Sequence, residues 1–121
     1  MSGVEELAGF SIPPDDKDGP KELYRALVAR CREFQHLRDG EPKIEFMLRH
    51  FPKIKAGRVV LGTCYMPSVQ GELKPMFDWL LRLKLGVLPD FLIVLDADYW
   101  DEASDREREI LVFHELMHCG Q

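Results

Sequence analysis

The sequence predicts an α+β fold, in which a small mixed or antiparallel sheet packs on helices. Three observations support this prediction. Two internal segments carry apolar residues at helical spacing, short apolar runs have the composition of strands, and a helix with its own start signal lies at the C-terminal end. The 121 residues and their 45% hydrophobic content suit one globular domain that can bury a core.

The first predicted helix spans residues 21–38 and follows an N-terminal arm, residues 1–19. The arm contains paired prolines and aspartates, so we expect it to be flexible and the folded domain to cover residues 20–121. The helix is amphipathic and ends at Asp39-Gly40. Its apolar face consists of Leu23, Leu27, Cys31 and Phe34.

The middle of the sequence predicts strands and a second helix. Residues 43–49 and 58–65 are strand candidates, and the segment that connects them is compatible with an antiparallel pair. Residues 74–85 are predicted to be helical, with Gly86 just after the helix end. Residues 91–95 form a short apolar run, which predicts a mostly buried strand.

The last predicted helix spans residues 104–118. Ser104 and Glu107 have the Ser-x-x-Glu spacing of a capping box, which is a start signal. One side of this helix has the i, i+3, i+4, i+7 spacing that predicts a helical face. The residues on that side are Ile110, Phe113, His114 and Met117.

This helix contains an H-E-x-x-H motif, formed by His114, Glu115 and His118. Residues four apart lie on one face of a helix, so the two imidazoles can bind one zinc ion. Glu115 follows the first histidine and can act as general base toward a metal-bound water. The alternative is a surface helix whose two histidines are solvated.

The segments around this motif resemble the family of phage metallopeptidases, which is similar to SprT-like zincins. The resemblance is carried by Asp90 to Trp100, by Phe113 to Cys119, and by residues 43–48 and 57–62, and it extends over roughly residues 20–119. It implies a zincin-like fold, Zn²⁺ as the cofactor, and a peptide or protein substrate. It also implies metal ligands at His114 and His118 and a catalytic base at Glu115.

The resemblance implies a third metal ligand after the motif helix, but no position up to Gln121 matches one. A catalytic zinc normally has three protein ligands and a water. We therefore expect either a metallopeptidase domain that is incomplete at its C-terminus or an unusual ligand set. A non-catalytic binding or structural fragment is the alternative.

Zincins hold the substrate peptide in extended form along an edge strand. If the resemblance holds, the strand nearest the metal has this role here. The sequence leaves open whether that strand is 58–65 or 91–95.

Four other polar residues are candidate parts of a metal site. His36 and His50 lie in charged surroundings, where solvation or a local hydrogen bond is expected rather than metal binding. Asp96 and Asp98 follow a strand, and we expect them to be turn and helix-entry residues. A role for them in orienting a ligand histidine is the alternative.

The three cysteines do not predict a disulfide framework, because their number is odd and their spacing is unpaired. Cys31 is expected in the core and Cys64 at a strand end. Cys119 is expected to be buried or half-buried, and it could bind zinc only if the helix unwinds there.

Charge and hydropathy bear on partners and location. The net charge of −5 argues against a dedicated nucleic-acid binder, and a weak contact through residues 43–58 is the alternative to a solvated basic edge. No apolar run is long enough for a membrane span, and no signal peptide is visible. We therefore expect a cytoplasmic protein that acts in the host cell if it is phage-encoded. The basic residues are Lys43, Arg49, Lys53, Lys55 and Arg58.

Overall fold

The computed structural model describes residues 9–119 and has an α+β fold. Its strands are β1 (Phe10–Ser11), β2 (Ile44–Arg49), β3 (Ile54–Lys55), β4 (Arg58–Val59), β5 (Gly62–Tyr65) and β6 (Phe91–Asp96). Its helices are α1 (Pro20–Arg30), α2 (Gln35–Gly40), α3 (Lys74–Leu85), α4 (Ala97–Glu102) and α5 (Asp105–Leu116), with 3₁₀ turns at Arg32–Phe34 and Gly71–Leu73. No helix within residues 9–119 is long and apolar enough to cross a bilayer.

The main sheet is mixed and has the spatial order β1–β2–β6–β5. β6 runs parallel to β2 and antiparallel to β5, while β1 pairs antiparallel with β2. Residues 43–49 and 58–65, whose connection was compatible with an antiparallel pair, do not pair with each other, because β6 lies between β2 and β5. β6 takes the inner position because its consecutive apolar residues are buried on both faces of the sheet.

The predicted strand 58–65 is two strands in the structure. β4 pairs with β3 in a small separate hairpin, whereas β5 belongs to the main sheet. The chain changes sheets at Val60 and Leu61: the Val60 amide donates to the Lys53 carbonyl at 2.8 Å, and the Leu61 carbonyl accepts from the Asp96 amide at 2.8 Å. The partial alternation of apolar and polar residues that predicted one strand continues across Val60 and Leu61. The sequence therefore does not mark this change of partner.

The predicted helix 21–38 is also interrupted. Cys31 has extended backbone (φ −94°, ψ 126°), which ends α1, and a 3₁₀ turn leads into α2. The Arg38 guanidinium donates to the Val28 and Cys31 carbonyl oxygens at the break, and the Cys31 oxygen also accepts from the Phe34 amide at 3.1 Å. The apolar face survives the break, and Leu27 and Phe34 are both buried.

The core lies between one face of the sheet and the helices that cover it. It combines residues of β2 and β6 with residues of α1, α2, α4, α5 and the turns next to them, and consists mainly of Leu27, Phe34, Leu37, Ile44, Phe46, Ile93, Leu95, Trp100, Leu111, Val112, Leu116 and Cys119. On the opposite face, α3 contributes Phe77 and Leu81 to an apolar cavity of about 400 Å³, which β2 and β6 also line. Helix α3 has the bounds predicted from the sequence.

Part of the predicted N-terminal arm pairs with the sheet. Phe10 and Ser11 lie opposite Arg49 and Leu48 in β1 and β2. Asp15 binds Arg25 of α1 through two hydrogen bonds of 2.8 Å. Residues 1–8 of the predicted arm lie outside the described residues.

Candidate metal centre

Helix α5 carries the H-E-x-x-H motif and begins at the predicted capping box. The Ser104 hydroxyl accepts from the Glu107 amide at 3.1 Å, and the Glu107 carboxylate accepts from the Ser104 amide at 2.9 Å. The helix packs on α1 and β5, and the Arg108 side chain donates to the Trp100 carbonyl of α4 at 2.8 Å. These contacts hold α5 against the edge of the sheet and the neighbouring helices.

The two motif histidines lie side by side on the outer surface of α5. Their Nε2 atoms are 3.4 Å apart, and the rings are nearly perpendicular at 82° with centroids 5.0 Å apart. Both side chains are exposed, and both line an open cleft of about 340 Å³ next to β5. The predicted placement on one side is therefore what the structure shows.

The predicted helix end at residue 118 is wrong by two residues. The α-helix ends at Leu116, and His118 lies in the following turn, where its amide donates to the Glu115 carbonyl at 3.1 Å. This bond spans three residues, so the last turn has 3₁₀ character. Tightening of the final turn is common at helix ends, and it leaves both imidazoles on the same side.

Glu115 lies on the buried side of α5, with only 3% of its surface exposed. The predicted face with helical spacing is not the buried side of α5: Ile110 is 54% exposed, whereas Leu111, Val112, Glu115 and Leu116 are buried. Burial raises the pKa of the Glu115 carboxyl above its ordinary value, and His114 and His118 oppose this rise without cancelling it. The carboxylate thus holds a proton more strongly than an exposed glutamate does.

Gly62 makes room for this carboxylate, and the sequence reasoning missed its role. A Cβ atom at Gly62 would lie 2.9 Å from the Glu115 Oε2 atom and 3.1 Å from its Cγ and Cδ atoms. Any other residue at this position would therefore displace Glu115. The only sequence signal was a glycine inside a strand candidate, which often marks a close approach.

Strand β5 forms the wall of the cleft beside the motif. It pairs with β6 on one side only and is an edge of the main sheet within residues 9–119. β6 has partners on both sides, so its backbone cannot pair with another strand. Of the two candidate segments, only 58–65 contributes an edge strand beside the histidines: Gly62, Thr63 and Cys64 line the cleft, as do Lys53 and Lys55.

Two cysteines meet where β5 contacts the end of the motif. The Sγ atoms of Cys64 and Cys119 are 3.3 Å apart, and Cys119 is completely buried. The hydrogen bond from the Cys119 thiol lowers the pKa of Cys64. The same bond, together with burial, raises the pKa of Cys119.

The remaining candidates have other partners in the structure. Asp96 caps α4 by accepting from the Tyr99 amide at 3.0 Å, as expected for a helix-entry residue. His36 donates to the Cys119 carbonyl at 2.9 Å, and the His50 Nε2 atom lies 2.7 Å from the Ser11 hydroxyl. Asp98 is exposed on α4.

The basic stretch does not form one continuous surface patch. Arg49 is 3% exposed, and its guanidinium donates to the Phe51 and Val60 carbonyl oxygens. Lys53 instead donates to the Tyr65 hydroxyl at 3.3 Å, beside the cleft. The stretch is thus divided between a structural arginine and cleft-lining lysines.

The described residues bring fewer than three potential metal-binding side chains together at any one place. No cluster of three or more His, Cys, Asp or Glu side chains positioned for one metal ion occurs among residues 9–119. The pair of histidine Nε2 atoms is therefore a two-donor arrangement. A complete catalytic zinc site needs one more protein donor.

The H-E-x-x-H spacing on a helix is a motif found in zinc metallopeptidases. The family model described as "Putative phage metallopeptidase" matches residues 16–121, which is most of the chain. The protein belongs to this family. No curated protein and no solved structure showed significant similarity to the chain.

Proposed function

We propose that this protein is a zinc-dependent peptidase in which His114 and His118 bind Zn²⁺ and Glu115 is the general base. The spacing of the two imidazoles carries the proposal. Zn–N bonds of about 2.0–2.1 Å at a tetrahedral angle place two ligand nitrogens about 3.3 Å apart. The Nε2 atoms are 3.4 Å apart, so the pair suits zinc without rearrangement.

The donor set supports zinc and also shows what else the site requires. Neutral imidazole nitrogens are common zinc ligands, and both rings are reached from the open cleft. Since no three-donor cluster is found within residues 9–119, we place the third donor outside this group, in another segment or a second molecule. Zinc bound by His114 and His118 would supply Lewis acidity. It would lower the pKa of a bound water toward neutrality and polarise a substrate carbonyl.

The position of Glu115 suits proton transfer rather than metal binding. Its side chain lies on the buried side of α5, lines the same cleft as the two histidines, and packs its end on Gly62 of β5. Its raised pKa brings the carboxyl closer to neutrality, where a general base is most effective. Glu115 would accept a proton from the attacking water and deliver it to the leaving amine.

The edge of β5 suits an extended peptide substrate. Alternate backbone groups of an edge strand face away from the sheet, where they can pair with another strand. Residues 62–64 present this edge directly beside the histidine pair. We therefore propose that β5 aligns the scissile bond with the metal in a zincin-like manner.

The family and the charge distribution indicate where the protein acts and which class of partner it binds. We propose a phage- or prophage-encoded enzyme that acts on peptides or proteins in the host cytoplasm. The burial of Arg49 divides the basic stretch and weakens the case for a nucleic-acid partner.

Substitutions in a form of the protein that has a complete zinc site separate the proposed roles. Glu115→Gln keeps the size of the side chain but removes its basicity, so we expect hydrolysis of an unfolded protein substrate to fall ~10²-fold or more. Its zinc content should remain near that of the wild type. His114→Ala and His118→Ala should lose zinc and activity together, because each removes a bond to the metal.

Two outcomes would contradict these roles. Loss of zinc from Glu115→Gln, to the degree seen in the histidine variants, would make Glu115 a ligand. Undiminished hydrolysis by the same variant would remove the basis for the peptidase mechanism.

A further inference from the structure

We propose that Cys64 and Cys119 form a reversible disulfide that ties the end of the H-E-x-x-H segment to the edge strand β5. Their sulfurs are 3.3 Å apart, although the residues are 55 positions apart in the sequence. A disulfide requires an S–S distance of about 2.05 Å, so closure needs a movement of little more than 1 Å. The proposal is independent of zinc binding and of peptidase activity.

The geometry of the two elements produces this meeting. Gly62 and Cys64 are two residues apart on β5 and point to the same face, which packs on α5. Glu115 and Cys119 are four residues apart, at the end of α5 and in the turn that follows. Two strand residues span about 6.8 Å and four helical residues about 6 Å, so Glu115 faces Gly62 while Cys119 faces Cys64.

The surroundings favour bond formation between these two sulfurs. The Cys119 carbonyl accepts from His36 at 2.9 Å, which anchors the backbone of the turn to α2. Cys64 lines the cleft and is only half-buried, so a small oxidant can reach it. Cys119 is completely buried, so a mixed disulfide at Cys64 has it as the adjacent resolving thiol.

Oxidised glutathione can serve as the oxidant. The Cys64 sulfur loses its proton and attacks one glutathione sulfur, which releases one reduced glutathione and leaves a mixed disulfide. The Cys119 sulfur then loses its proton and attacks the Cys64 sulfur, which releases the second reduced glutathione. Two protein thiols and one glutathione disulfide thus become one protein disulfide and two glutathione thiols.

The test uses the whole chain and its third cysteine as a control. Wild type and Cys31→Ala are equilibrated with glutathione at several ratios of reduced to oxidised form, alkylated and analysed by mass spectrometry. We expect both to lose the mass of two hydrogen atoms and to give a cross-linked peptide pair containing Cys64 and Cys119. Cys64→Ala and Cys119→Ala should give no intramolecular bond.

The native fold should favour the bond. The equilibrium constant for exchange with glutathione should be at least about 10-fold larger for native Cys31→Ala than for the same variant in denaturant. The oxidised form should melt about 5–15 °C higher than the reduced form, because the cross-link closes a long loop. Peptide mapping of Cys31→Ala does not depend on the folding of the other variants.

Several results would overturn the proposal. These are a cross-link that includes Cys31, a glutathione adduct at Cys64 that Cys119 does not resolve, thiols that stay reduced, or equal exchange constants in native and denatured chains.

Discussion

At the residue scale, Glu115 combines burial with a neighbouring pair of exposed histidines. Burial of a carboxylate is unfavourable because its charged form loses hydration. Here Glu115 can be reached from the open cleft, and Gly62 leaves space for the end of its side chain. The H-E-x-x-H spacing alone places the histidines, whereas Gly62 sets where the carboxylate lies.

Gly62→Ala should disturb Glu115 more than it disturbs the fold. The new methyl group would meet Glu115 atoms at 2.9–3.1 Å, so that side chain must move. Overpacking of this kind costs about 1–3 kcal/mol of unfolding free energy, which urea unfolding of the chain can measure. In a form of the protein that has a complete zinc site, hydrolysis should fall about 10-fold or more with zinc retained, because a misplaced base loses its alignment.

Gly40→Ala, at the end of α2, is the matched control for this substitution. Its new methyl group would lie 3.9 Å from its nearest neighbour, the Pro42 Cδ atom, so hydrolysis should stay within about 3-fold of the wild type. Wild-type stability and activity in Gly62→Ala would show that the glycine has no positioning role.

At the element scale, α5 depends on its first turn for a defined start. Ser104 and Glu107 satisfy each other's backbone amides, and this reciprocal pair fixes where the helix begins. The far end has no comparable signal and tightens into a 3₁₀ turn at His118. The start was therefore predictable from four residues, whereas the predicted end lay two residues too far along the chain.

Ser104→Ala should lower the free energy of unfolding by about 1 kcal/mol, because the Glu107 amide loses its acceptor. Urea unfolding at neutral pH measures the difference. Ser68→Ala, in an exposed loop, is the control and should be close to neutral. An equal effect of the two substitutions would contradict a capping role for Ser104.

The capping box also predicts a pH dependence. Bonds from the Ser104 amide and hydroxyl hold the pKa of Glu107 below its usual value. A lowered folded-state pKa gives stability that is present above the ordinary glutamate pKa of about 4.3 and is lost as the pH falls through the lowered value. The stability difference between wild type and Glu107→Gln should therefore shrink across this acidic window.

Urea unfolding at a series of pH values tests this dependence. Glu72→Gln, at an exposed position, is the control. A difference between wild type and Glu107→Gln that stays constant or grows as the pH falls would show that the Glu107 charge does not stabilise the helix start.

At the scale of the whole molecule, local signals predicted elements and long-range pairing decided their arrangement. Helix α3 was predictable because Gly86 follows it, and it has φ 79° there, a conformation that glycine adopts without strain. β1 and the parallel pairing of β2 with β6 join residues distant in sequence, so no local pattern indicates them. The break at Cys31 was hidden because the apolar spacing continues across it.

The same distinction applies to the candidate site. The motif predicted which residues could bind metal and which could act as base, since those roles follow from spacing on one helix. The partners of the motif come from elsewhere: Gly62 and Cys64 reach it only because β5 is the sheet edge beside α5. The site residues whose contacts with the motif the sequence did not predict, Gly62 and Cys64, therefore lie on the strand and not on the helix.

The central claim is that His114 and His118 form a zinc-binding pair beside a base that is not a ligand. Calorimetric titration of the 121-residue chain with Zn²⁺ tests it most directly. We expect one zinc per chain, bound more weakly than at a three-ligand site, so that the chain is purified largely metal-free and hydrolyses no peptide. His114→Ala and His118→Ala should each weaken binding more than about 100-fold, since loss of an outer-shell partner alone costs about 10–100-fold. Glu115→Gln and the remote control His50→Ala should leave it within about 3-fold. Binding that neither histidine substitution weakens, or that Glu115→Gln weakens as strongly as they do, would contradict the account, and zinc that survives dialysis stoichiometrically would contradict a weak two-donor site.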